Sequence, residues 1–136
     1  MKKLIIVILT SLLNTGVFAE ESGNYQLSTH ILDISEGAPA ENVIVSLYKY
    51  DFENLDWELV DKALTGKNGR VGEFLPYGQK NYGAYKLRFE TEEYFKSRNL
   101  HSIYPYIEVA FKIEDTVHYH IPITVSANGY STYRGN

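Results

Sequence analysis

No cysteine occurs anywhere in the 136 residues of this chain. That absence removes disulfides, thiol nucleophiles, cysteine-ligated zinc and iron–sulfur clusters, and leaves packing and self-association to supply stability. Positive charge is scarce as well: 13 Lys and Arg stand against 17 Asp and Glu, and without Lys2 and Lys3 the balance is 11 against 17, a formal charge near −6. Nucleic-acid binding draws on clustered positive charge, so no nucleic-acid partner is expected. The chain has no internal repeat, no low-complexity tract and no linker that would separate two domains, which points to one domain with one core.

Its principal apolar run is Leu4 to Leu13, interrupted only by Thr10 and Ser11. Lys2 and Lys3 precede it as a positive n-region, and Val17-Phe18-Ala19 offers the residues a signal peptidase reads. The run is short and ends abruptly at Glu20 and Glu21, which favours cleavage over a retained membrane anchor. Residues 1–19 are therefore predicted to be a signal peptide and residues 20–136 an exported, periplasmic domain. A domain of that length buries about two thirds of the surface its unfolded chain exposes.

Beyond the leader the chain is written in period two. Tyr85-Lys86-Leu87-Arg88-Phe89-Glu90 alternates apolar and charged residues, and Ile107, Val109, Phe111 and Ile113 form a second stripe. Gln26 to Ile34 and Val43 to Tyr48 read as further strands, Trp57 to Leu64 and Arg70 to Phe74 as shorter ones. Thr65-Gly66-Lys67-Asn68-Gly69 supplies a turn. Val117 to Ala127 and Tyr130 to Arg134 complete the set, parted by Asn128-Gly129. One segment differs: residues 91–98 begin with a capping residue, Thr91, carry acids first and bases last, and predict a two-turn helix. Seven or eight short strands with regular turns predict an all-β fold, an antiparallel Greek-key β-sandwich with one short helix.

Chemistry concentrates at few positions. Side chains two apart on a strand project together, so His30 shares a face with Ser28 and Leu32, and His120 with His118, Thr124 and Ser126. Arg70 opens a strand straight after the Asn68-Gly69 turn, at the rim of a sheet. Pro122 cannot donate to a ladder and predicts an edge or bulged strand. His118 and His120 have the alternation of zinc ligands, yet no cysteine or nearby carboxylate completes such a set. Asp33 adjoins the face opposite His30, a poor position from which to orient it, and Ser131 and Thr132 lack a neighbouring base. The terminal Tyr130-Ser131-Thr132-Tyr133-Arg134-Gly135-Asn136 has no solubilising tail behind it and reads as a terminus folded into a site.

Leu27-Ser28-Thr29-His30-Ile31-Leu32-Asp33, Gly37-Ala38-Pro39-Ala40, Gly69-Arg70, His118-Tyr119-His120-Ile121-Pro122 and Ser131-Thr132-Tyr133-Arg134-Gly135 together resemble the 5-hydroxyisourate hydrolase family, the transthyretin-related proteins. The resemblance spans Gln26 to the last residue. It implies a transthyretin-like fold for residues 20–136. It also implies hydrolytic opening of 5-hydroxyisourate, the first product of urate oxidation, to 2-oxo-4-hydroxy-4-carboxy-5-ureidoimidazoline, without a metal or organic cofactor. By the same resemblance the catalytic positions are His30, Arg70 and His120, with Arg70, Tyr133, Arg134, Gly135 and Asn136 against the substrate. His120 is the expected general base, His30 its partner and Arg70 the clamp on the substrate's oxygens, while Arg134 has a second expected use in holding the terminus. Family chains usually end in Ser where this one has Asn136. The family's homotetramers, dimers of dimers, carry their sites between subunits, so a like assembly is implied. A non-catalytic carrier of small aromatic ligands, in which His30 and His120 would be replaceable, is the second reading; an exported structural module would not explain the coherence of distant histidines with this terminus.

Overall fold

The computed structural model describes residues 21–136. The expected signal peptide, residues 1–19, lies outside the described residues, and among them no helix is long and apolar enough to cross a membrane. The chain is built around one strand, β1 (Tyr25–Asp33). Leu27, Thr29, Ile31 and Asp33 point inward and are fully buried, while Ser28, His30 and Leu32 are half-buried on the outer face.

Both edges of β1 are shared. Along one edge it pairs antiparallel with β5 (Arg70–Pro76) and then with the two-residue β2 (Ala38–Pro39). Along the other it pairs parallel with β8 (Tyr119–His120) and then β9 (Ile123–Ser126), and β10 (Gly129–Thr132) closes the sheet antiparallel to β9. The second sheet is antiparallel throughout, in the order β4 (Asp56–Leu64), β3 (Ile44–Asp51), β6 (Gly83–Phe89), β7 (Ile107–Ile113). Leu27, Ile31, Phe74 and Ile123 from the first sheet meet Leu47, Leu87, Phe89 and Ile107 from the second, all buried. Each such side chain contributes about 1.5–3 kcal/mol on burial. The all-β sandwich read from the sequence is thus the fold observed, with β1–β8 and β1–β9 as parallel pairs within it.

Several local expectations are corrected. The single strand expected over Val117 to Ala127 is two, because the missing N–H of Pro122 interrupts the ladder between β8 and β9. Nor is this an edge: β9 lies between β1 and β10. The helix α1 is Thr91–Lys96, and the cap position is Glu90, with no side-chain capping bond. Thr91 is buried instead, and among the described residues its hydroxyl has no hydrogen-bond partner. The helix is held by its apolar face: Tyr94 and Phe95 are buried, and the Tyr94 hydroxyl donates to Asp33 Oδ2 at 2.8 Å.

Two features of β5 aim the site. Ser28 of β1 stands opposite two residues, Gly72 and Glu73, since Leu27 pairs with Phe74 and Thr29 with Val71. This bulge rephases β5 so that Phe74 and Val71 both face the core and Arg70 faces outward, directly opposite His30. Beside it, Gly69 has φ +72° and lies where β5, β2 and β1 converge. A Cβ there would stand 2.7 Å from the Ile31 carbonyl oxygen and 2.8 Å from Pro39 Cβ.

Candidate active site

The outer face of the first sheet gathers the histidines. Parallel pairing sets Ser28 beside His120 across the β1–β8 ladder, antiparallel pairing sets Arg70 beside His30, and directly opposed residues project to one face. His30 Nδ1 and His120 Nε2 are 2.8 Å apart. The ring centroids are 5.0 Å apart with planes 29° from parallel, so the rings meet edge to edge, as an in-plane hydrogen bond requires. His120 Nδ1 lies 2.7 Å from Ser28 Oγ, which is itself 2.8 Å from His118 Nε2. His118 Nδ1 ends the chain 3.0 Å from the Tyr25 carbonyl oxygen.

Both members of the pair are held neutral. Burial first, then the positive charge of Arg70, lowers the His30 pKa from its ordinary value. His120 is lowered to about 4, chiefly by burial, then by the charges that His30, Arg70 and His118 would place beside an imidazolium; the Ser28 backbone opposes weakly. At neutral pH each ring is therefore a free base with one N–H and one lone pair. Arg70 itself is exposed, and among the described residues no carboxylate pairs with its guanidinium.

The carboxyl terminus returns to this face. Gly135 N–H donates to the His120 carbonyl oxygen at 2.8 Å, forming an isolated bridge after β10. A Cβ at Gly135 would stand 2.6 Å from His120 Cδ2, so the backbone lies against the ring. The neighbouring side chains go elsewhere. Arg134 sets its guanidinium 4.3 Å from the centre of the Tyr119 ring, and with Tyr133, Ile121 and Phe111 it lines a separate groove of about 290 Å³ against β7. Asn136 is exposed at the end.

Of the residues singled out from sequence, the structure brings together His30, Arg70, His120 and Gly135. Tyr133 and Arg134 line the other groove, where the Arg134 guanidinium packs over Tyr119. Asp33 faces the core, where its Oδ1 accepts from the Ser35 and Glu36 amides and holds the turn after β1. Ser131 Oγ is bonded to Thr124 Oγ1 and the Thr132 hydroxyl donates to the Pro122 carbonyl. Two participants escape sequence reasoning: Ser28, which there only shares the His30 face, and His118, whose alternation suggests only zinc. The signal that could have found them is the double alternation Ser28/His30 and His118/His120 on strands that turn out to be neighbours. Among the described residues no cluster of three metal-binding side chains occurs.

A neutral imidazole pair beside a guanidinium that has no carboxylate partner among the described residues, on an open sheet face, is equipment for general-base hydrolysis with electrostatic support. The fold and the site together define a transthyretin-like sandwich turned to catalysis. Known proteins agree: the Transthyretin family model, described as the HIUase/Transthyretin family, matches residues 27–135, and the chain belongs to that family. It is 46% identical over 111 residues to a probable 5-hydroxyisourate hydrolase of Caenorhabditis elegans, covering 81% of each chain. The solved 5-hydroxyisourate hydrolase of Klebsiella pneumoniae matches with a TM-score of 0.71 and 36% identity over 82% of this chain and 94% of that one. Transthyretin from Sparus aurata reaches a TM-score of 0.75 over 81% of this chain and 96% of that one at 23% identity, a likeness of fold alone. Within its family this chain stands with the hydrolases.

Proposed function

We propose that this protein hydrolyses 5-hydroxyisourate to 2-oxo-4-hydroxy-4-carboxy-5-ureidoimidazoline. The observation that carries the reading is the 2.8 Å contact between His30 Nδ1 and His120 Nε2, with Arg70 as the cross-strand neighbour of His30. The sequence alone does not fix which histidine is the base, and the expectation stated above is His120. Both ring nitrogens of His120 are engaged, whereas among the described residues His30 has only Nδ1 engaged, so the base in this proposal is His30 Nε2 and His120 stands behind it.

In this mechanism a water oxygen attacks a ring carbonyl carbon of the substrate while His30 Nε2 takes the water proton. The carbonyl oxygen gains negative charge, which the Arg70 guanidinium stabilises. The carbon–nitrogen bond then breaks, the leaving nitrogen takes the proton back from His30, and the ring opens with one water added. Burial and Arg70 keep His30 unprotonated at neutral pH, ready for the first step.

The test is direct. Substrate is generated from urate with urate oxidase, and the ultraviolet decay is followed with the protein, with its His30→Ala variant and alone. Decay no faster with the protein than without it would sink the reading. The reading further holds that the protein is exported to the periplasm behind residues 1–19 and assembles as a homotetramer, a dimer of dimers. An open sheet face bearing half-buried histidines needs a second wall to exclude water, which supports the assembly. A monomer at micromolar concentration by light scattering, retaining full activity, would remove it.

A further inference from the structure

The Tyr25 carbonyl, His118, Ser28, His120 and His30 form a chain of five groups whose hydrogen-bond direction follows from one end. The Tyr25 carbonyl oxygen can only accept, so His118 carries its proton on Nδ1. In a neutral ring that leaves Nε2 of His118 as an acceptor, and the only proton between it and Ser28 Oγ is the serine's own. Having spent its proton there, Ser28 accepts from His120, which therefore carries its proton on Nδ1. His120 Nε2 is then a lone pair that accepts from His30 Nδ1–H. The remaining lone pair, on His30 Nε2, has no protein partner among the described residues.

We infer that Ser28 and His118 are positioning residues, which together fix the tautomers of His120 and His30 and so present a lone pair, rather than an N–H, on His30 Nε2. Neither residue touches substrate in this scheme. They act through His120, as a buried carboxylate acts through the histidine of a serine-protease triad, except that a backbone carbonyl supplies the polarity here. The arrangement depends on three ladder facts: Ser28 beside His120 in parallel register, His118 and His120 two apart on one face, and Ser28 and His30 likewise. A slip of one residue in either strand would turn the chain inside out. Reversal of the direction would put N–H on His30 Nε2, which cannot take a proton from water.

The inference rests on the hydrolytic reading only for its kinetic consequence, and the experiment separates the two. Long-range nitrogen–proton NMR of the intact protein near pH 7.5 reads the tautomer of each imidazole without any substrate, and the exposed His101 provides an internal reference. The expected result is Nδ1–H on His118, His120 and His30. Nε2–H on His120 or His30 would overturn the inference, whatever the activity. Ser28→Ala should scramble the His120 tautomer and lower kcat by about 10- to 100-fold with KM within about twofold. Ser28→Thr, which keeps the hydroxyl on a strand residue, should recover kcat to within about threefold of the parent. If Ser28→Ala kept both the tautomers and the rate, the positioning role would be gone. If the tautomers are as expected and the protein hydrolyses nothing, the positioning stands and the hydrolase reading fails.

Discussion

Gly135 lies flat against the ring of His120: its amide hydrogen-bonds the His120 carbonyl at 2.8 Å, and a Cβ would approach Cδ2 to 2.6 Å. The glycine is thus required by space, and the Tyr-Arg-Gly terminus serves the site through its backbone. Gly135→Ala is expected to displace either the His120 ring or the terminal segment. Displacing a hydrogen-bonded group of the site costs rate before stability if that group takes part in the proposed reaction. The expected outcome is a loss of about tenfold or more in kcat/KM, with a Tm change of only a few degrees. Steady-state kinetics beside thermal unfolding checks this, and unchanged kinetics would show that the terminus is not seated on the ring in solution.

The lowered histidine pKa values predict how stability and rate follow pH. A histidine resists protonation in the fold while the unfolded chain protonates normally near 6.5, so between those values the unfolded state binds more protons. Stability contributed by His120 is then complete above about pH 6.5 and is lost as pH falls towards about 4, where the folded group also protonates. His120→Gln should flatten the Tm–pH curve over that window relative to the parent; parallel curves would contradict the assignment. The acidic limb of kcat/KM should likewise fall below pH 6.5, because His30 is lowered. Arg70→Gln should move that limb upward yet leave it below 6.5, since burial is the larger cause.

Much of this architecture is legible in the residue order, and the reason is alternation. In Tyr85 to Phe89 and Ile107 to Ile113 one face meets the core and the other meets water, so the period is written twice over. The glycine turn before Arg70 and the two His-x-His and Ser-x-His alternations are equally plain. Pairing at a distance is not legible. The parallel register of Ser28 with His120 spans 92 residues, and no local pattern records it. The bulge at Gly72-Glu73, which turns Arg70 towards His30, is a property of two strands together. Thr91 looks like a cap because Thr caps helices; the tertiary packing of α1 buries it instead. The choice of His30 as the proposed base is hidden for the same reason, since it depends on which ring nitrogens find partners.

Asp33 illustrates how near neighbours on one strand serve opposite ends. Its carboxylate faces the core and accepts from the Tyr94 hydroxyl, whose own pKa is driven up by burial and then by that bond. Tyr94→Phe keeps the ring in the core but leaves Asp33 Oδ2 without this donor. A loss of about 1–3 kcal/mol in urea unfolding is expected, because a buried acceptor is stranded. Turnover should stay within about twofold of the parent, since His30 lies on the other face of β1. A large loss of turnover at full stability would mean that the helix reaches the site by a route this geometry does not contain.

Gly69 provides the complementary case, a residue in which fold and site are inseparable. Its φ of +72° is strained for any side chain, and atoms of Ile31, Pro39 and Ala40 crowd the place where a Cβ would sit. Its carbonyl also accepts from the Ile31 amide at 3.0 Å, next to His30 in sequence, while Arg70 follows it directly. Gly69→Ala combines left-handed strain with overpacking and is expected to cost about 2–4 kcal/mol. It should also part Arg70 from His30, so kcat/KM should drop by more than the fraction unfolded accounts for. Measuring both on the same preparation separates the effects: a stability loss with normal activity per folded molecule would show that β5 can be displaced there without moving the guanidinium.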